Sequence, residues 1–127
     1  MKYLLDTHAV IWYVEDSSDL PKKIKAIIDN PENEIYISSV SFWEIAIKVS
    51  LGKLGLDLAF EEFLANVRSR DFSFLQIEDE YINRLLGLPF IHKDPFDRLI
   101  ITTALSEDLT IITIDENIEK YTVSCIW

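Results

Sequence analysis

Four acidic residues stand out by where they fall in the chain: Asp6, Glu44, Asp97 and Asp115. Asp6 closes the apolar run Tyr3-Leu4-Leu5, Glu44 lies beyond the run Ile35-Tyr36-Ile37, and Asp115 follows the β-branched segment Thr110 to Thr113. Asp97 sits in HKDPFDRL, the opening of a helix. If the four converge, the chemistry is restricted. Two carboxylates about 4 Å apart repel by about 4 kcal/mol at an effective dielectric near 20, so such a group must take up protons or bind cations. All-oxygen donors select hard divalent ions, Mg²⁺ or Mn²⁺, over zinc or copper. Two such ions about 3.5 to 4 Å apart activate a water and steady the leaving oxygen in phosphodiester cleavage, with no nucleophilic side chain and no histidine base.

Each acid also has a plainer reading. Asp6 stands where a strand hands over to a helix and suits an N-cap. Ser41 and Glu44 have capping-box spacing, a complete non-catalytic account of Glu44 at this level. Asp94 before Pro95 is a strong helix opening, so that helix starts near Pro95. Asp94, Asp97 and Arg98, three and four residues apart, share one face of its first turn, where Arg98 either pairs with Asp94 or holds a phosphate. Ser38, Ser39 or Thr113 could line the site with hydroxyls that orient water, although serines serve as often as turn formers. His8 and His92 are further candidates, a lone histidine being more often structural.

The elements that must position these groups follow from periodicity. After the first strand, Ala9 to Val14 continue as helix. Ser17 to Leu20, with Pro21 next, begin a second helix that runs through Ile24, Ile27 and Ile28 and stops at Asn30-Pro31, with Lys22, Lys23 and Lys25 on a solvated face. A strand at 35–37 precedes a long helix from Ser41, ended near Gly52 and Gly55. Residues 59–70 read as helix, 72–77 (FSFLQI) as strand and 78–86 as helix. The helix from Pro95, the TIIT strand, a short helix or turn at 116–120 and a last strand at 122–126 complete the chain. Helices alternating with short apolar strands argue for an α/β sandwich with a mostly parallel sheet. Residues that follow parallel strands meet at one edge, where open α/β folds bind ligands. Asp6, Glu44 and Asp115 qualify, and the place of Asp97 depends on its connection.

The 127 residues, 49% of them hydrophobic, suit one domain over 1–127. No apolar run approaches the roughly 18 residues of a membrane span and no signal peptide is recognisable, so a soluble, cytoplasmic protein is expected. The single cysteine, Cys125, excludes an internal disulfide and a cysteine zinc site, and three glycines leave no phosphate-cradling loop. A net charge of −10 excludes nucleic-acid binding by phosphate neutralisation alone. Either the partner is cationic, or the carboxylates hold metal ions that reverse the local sign.

The segments LLDTH (Asp6), SSVSFWEIAIK (Glu44), HKDPFDRLIITTA (Asp97) and TIITID (Asp115) resemble, in order and spacing, the PIN-domain ribonucleases, most closely the VapC-like toxins of prokaryotic toxin–antitoxin pairs. The likeness extends over nearly the whole chain. It implies a PIN-like α/β/α sandwich with a five-stranded parallel sheet in order 3-2-1-4-5. It also implies an Mg²⁺- or Mn²⁺-dependent endoribonuclease acting on single-stranded or looped RNA, commonly tRNA. Asp6, Glu44, Asp97 and Asp115 are the matching metal-binding and catalytic positions, and Asp94 belongs to the DPFDR variant of the third segment. A homodimer and a basic antitoxin whose basic segment enters the acidic site are implied as well. Phe42, Trp43, Phe60 and Phe63 suit such interfaces or the core equally. Two other readings remain open: a receiver-like signalling module, poorly served by Thr7 and His8 after Asp6, and a catalytically silent acidic module that grips a basic partner.

Overall fold

The computed structural model describes residues 1–127. The elements in order are β1 (Lys2–Leu5), α1 (Thr7–Val14), α2 (Lys22–Asp29), β2 (Glu34–Ser38), α3 (Ser39–Ser50), α4 (Phe60–Arg68), β3 (Ser73–Leu75) and α5 (Asp79–Arg84), which runs into a 3-10 turn at Leu85–Gly87. Then come α6 (Pro95–Glu107), β4 (Thr110–Ile112), α7 (Glu116–Glu119) and β5 (Cys125–Ile126). The five strands lie in the order β3-β2-β1-β4-β5, every neighbouring pair parallel. Ser38 registers with Leu75, Leu5 with Ile112, and Ile112 with Ile126, so all strands end at one edge.

Alternation along the strands splits the core between the two faces. Tyr3, Leu5, Ile35, Ile37 and Ile112 pack with Val10, Ile24 and Phe63 from α1, α2 and α4. Leu4 and Ile111 pack on the other face with Ile100, Ile101 and Ala104 of α6, and with Tyr81 and Ile118. Burial on both faces is why β1 and β4 read as continuous apolar runs. No helix is long and apolar enough to cross a membrane.

Two edge strands are shorter than their sequence pattern. β3 spans Ser73–Leu75 instead of 72–77, and β5 spans Cys125–Ile126 instead of 122–126. An edge strand has one neighbour, so its length is set by the residues opposite it and alternation beyond that point finds no partner. The start of α3 is also corrected. Ser38 ends β2 with extended backbone and its hydroxyl accepts from the Val40 N–H (3.1 Å), so the helix opens at Ser39 and Ser41 lies inside it. The Ser41–Glu44 capping box is therefore not made, and Glu44 is freed of that explanation. α6 opens at Pro95 as its sequence demands, with Asp94 accepting from the N–H groups of Phe96 (2.9 Å) and Asp97 (3.0 Å). Phe42 and Phe63 are core residues, whereas Trp43 is 56% exposed.

Candidate metal centre

Asp6 follows β1 directly and is held on three sides. Its N–H donates to the Ile112 carbonyl (3.0 Å), Oδ1 accepts from the Thr7 N–H (2.8 Å) and Oδ2 accepts from Thr113 Oγ1 (2.8 Å). Thr113 Oγ1 in turn accepts from the Asp115 N–H (3.0 Å), so one hydroxyl after β4 fixes the first and last acids against each other. Asp115 Oδ1 caps α7 through the Asn117 N–H (2.8 Å). Thr7 reaches the other way: its hydroxyl donates to Glu44 Oε1 (2.6 Å) and lies 3.0 Å from Ser41 Oγ. Glu44 Oε2 takes the ammonium of Lys48, one turn further along α3 (2.5 Å).

Asp97 arrives on the first turn of α6. One donor oxygen each from Glu44, Asp94 and Asp97 lie within 4.8 Å of one another, which places the opening of α6 at the carboxyl edge of the sheet. The connection that pattern alone left open thus ends beside the strand-end acids. Asp6 and Asp115 are not part of that closest group, but their charges reach it. Burial, then the charges of Asp6, Asp94, Asp115 and Glu44, push the Asp97 carboxyl up to about 8. The Asp6 carboxyl is raised too, by burial above all, against the lowering bonds from Thr113 and Thr7. Asp6, Glu44 and Asp97 are buried and Asp94 and Asp115 half-buried. Five carboxylates offering only oxygen, crowded until one of them prefers its proton, fit a hard divalent cation.

Behind Asp97 a line of polar groups runs into the domain. His92 Nε2 meets Asp97 Oδ2 (3.1 Å), His92 Nδ1 meets the Tyr121 hydroxyl (2.8 Å), and that hydroxyl accepts from Arg98 Nη1 (3.0 Å). Arg98 corrects an expectation: it does not pair with Asp94. It is buried, donates to the carbonyls of Pro89 (2.7 Å) and Leu88 (3.2 Å), and stacks 4.0 Å over the Phe90 ring. Asp94 has one oxygen committed to the helix cap, and Arg98 leaves that face for the loop before α6. His8 is exposed against Trp12, while the Ser39 hydroxyl has no partner.

Thr7, Lys48 and Tyr121 were not singled out by sequence reasoning. Lys48 is readable as the i+4 partner of Glu44, and Thr7 as the hydroxyl beside Asp6. Tyr121 carries no local signal. Thr7→Val keeps shape but removes the bond that joins the two acidic turns. A loss of about 1.5 to 3 kcal/mol in urea unfolding is expected, as for a hydrogen bond to a charged group.

The family model described as "PIN domain" matches residues 3–123. The chain belongs to the PIN domain family. PIN domains are generally nucleases, and PIN nucleases use divalent metals. The receiver-like reading falls with that match. The sequence matches no curated protein. Among solved structures, this PIN domain is similar to VapBC2 of Rickettsia felis bound to a promoter DNA fragment, at 16% identity and a TM-score of 0.72, with 100% of this chain and 99% of that one covered. It is similar to DNA-bound VapBC of Salmonella typhimurium at 19% identity and a TM-score of 0.71, covering 99% and 97%. A toxin–antitoxin complex from Klebsiella pneumoniae matches at 17% identity and a TM-score of 0.63, covering 98% and 96%. The likeness to these structures is one of fold.

Proposed function

We propose that this PIN domain, acting as one unit over residues 1–127, is a divalent-metal-dependent endoribonuclease. It cuts phosphodiester bonds of single-stranded or looped RNA, tRNA among them, as the toxin of a toxin–antitoxin pair. The observation that carries the reading is the approach of the Glu44, Asp94 and Asp97 oxygens to within 4.8 Å of one another, on the strand-end edge where Asp6 and Asp115 also stand. Asp6, Glu44, Asp97 and Asp115 hold the cation, Mg²⁺ or Mn²⁺, with Asp94 as a fifth donor. When bound, it supplies positive charge facing the scissile phosphate and acidifies a water. Thr7 and Thr113 hold Glu44 and Asp6 in place, and His92 orients Asp97. Trp43, exposed and edge-on to Phe96 at 5.0 Å, offers an aromatic face for an unpaired base next to Glu44 and Asp97.

The net charge of −10 supports the rest of the reading. RNA contact is confined to the metal centre, and a basic segment of an antitoxin is drawn to the same acids. Ile82, Leu86 and Phe90, at 50%, 89% and 81% exposure, form an apolar surface that a second copy of the chain covers in a homodimer. The test is incubation of the purified protein with end-labelled tRNA in Mn²⁺, Mg²⁺ or EDTA. Cleavage with either ion and none in EDTA is expected, and RNA left intact under all three conditions overturns the reading. In the same buffers, saturating Mn²⁺ is expected to raise the melting temperature by several degrees, a shift reduced in Asp97→Asn. Equal shifts in both proteins place the ion elsewhere.

A further inference from the structure

Both oxygens of Glu44 are already engaged: Oε1 by the Thr7 hydroxyl and Oε2 by the Lys48 ammonium. An i,i+4 pair on an exposed helix face contributes little. This one differs, because the Glu44 side chain is only 4% exposed and Lys48 is itself one-third exposed, its head turned inward to the acids. The ammonium also feels the charges of Asp94 and Asp97, the other two members of the closest carboxylate group. Two other basic side chains behind the centre have partners of their own. Arg98 is committed to the loop carbonyls and Tyr121, and His92 lies between Asp97 and Tyr121. Lys48 is thus the side chain whose full positive charge sits against Glu44.

We propose that Lys48 is a displaceable internal cation: it holds Glu44 in the metal-free protein and competes with an incoming divalent ion for the same carboxylate oxygen. The proposal rests on the metal-centre reading above. A strongly hydrated ammonium on a flexible four-carbon stem leaves readily, unlike a bidentate guanidinium. Once released it is free to meet an anion.

The test is calorimetric titration of the full chain with Mn²⁺, without RNA, for wild type, Lys48→Met, Lys48→Arg and Lys53→Met. Lys48→Met is expected to bind Mn²⁺ roughly three- to tenfold more tightly, as one half-buried ion pair no longer opposes entry. Lys48→Arg, which keeps the charge, stays at or below wild-type affinity. Lys53→Met, past the end of the same helix, reports the long-range effect of losing a charge and is expected to stay near wild type. The melting temperature of Lys48→Met in EDTA falls, and its Mn²⁺-induced rise exceeds that of wild type. Equal or weaker Mn²⁺ binding by Lys48→Met, or an equal gain in Lys53→Met, overturns the role of Lys48 alone. A wild type that binds no Mn²⁺ overturns the metal centre and this role together.

Discussion

Asp97→Asn is expected to lower RNA cleavage by about a thousandfold or more while leaving the metal-free fold as stable as wild type or more so. The activity loss follows from removing a ligand oxygen at a centre that contributes several kcal/mol to the reaction, each 1.36 kcal/mol being about tenfold in rate. The stability gain follows from the crowd around it, since burial and four other acids hold the Asp97 carboxyl up to about 8 from an ordinary value of 3.8. A carboxyl that binds its proton more tightly when folded adds stability that is fully present below its unfolded value. That stability is lost as pH rises through the folded one. Metal-free wild type is therefore expected to weaken between about pH 4 and pH 8, and Asp97→Asn, with no proton to lose there, to weaken less. Urea unfolding in EDTA at pH 5 and pH 8 reads the difference. Identical pH profiles would remove Asp97 as the responsible group, and undiminished cleavage by Asp97→Asn would remove it from the mechanism. The same proton competes with the cation, so Mn²⁺ affinity rises over that window.

The legible and illegible parts of this molecule divide along a physical line. β1, β2 and β4 were readable because interior strands covered by helices on both faces must be apolar throughout, and the acids after them mark the edge. The pattern overstates β3, because FSFLQI alternates past the end of its partner β2, and periodicity carries no information on where a neighbour stops. The Ser41–Glu44 spacing fulfils a capping rule, yet the Ser38 hydroxyl caps the helix earlier. Local spacing cannot tell which of several serines in SSVS stands at the end of the strand. Asp94 and Asp97 were readable as a helix opening, but their approach to Glu44 depends on the path from α5 to α6, which is tertiary. The Arg98–Tyr121–His92–Asp97 line joins residues up to 29 positions apart through side-chain atoms, and no window of sequence displays it.

Arg98→Met is expected to give the largest loss of stability among the polar substitutions near the centre. Arg98 is buried with no carboxylate partner. Its donors serve the Leu88 and Pro89 carbonyls and the Tyr121 hydroxyl, and its guanidinium stacks against one face of the exposed Phe90 ring. Methionine preserves the apolar stem and strips the donors. Two loop carbonyls and a hydroxyl then lose a partner, which at about 1 kcal/mol or more for each comes to about 2 to 4 kcal/mol. For a domain of this size that is roughly 6 to 15 °C in melting temperature. Lysine is expected to rescue little, because its compact ammonium lacks the rigid, spread fork of donors that spans two carbonyls and a hydroxyl. Asp94→Asn supplies the control, for an Arg98–Asp94 ion pair would make the two losses similar, whereas a helix cap that asparagine also forms leaves Asp94→Asn within about 1 kcal/mol of wild type. The loss should also reach the centre. With Tyr121 untethered, His92 no longer fixes the Asp97 carboxylate, and Mn²⁺ affinity is expected to fall about tenfold, the scale of losing an outer partner of a metal ligand. Arg98→Met with an unchanged melting temperature and unchanged Mn²⁺ binding would mean that water satisfies the loop carbonyls and that Asp97 is positioned by α6 alone.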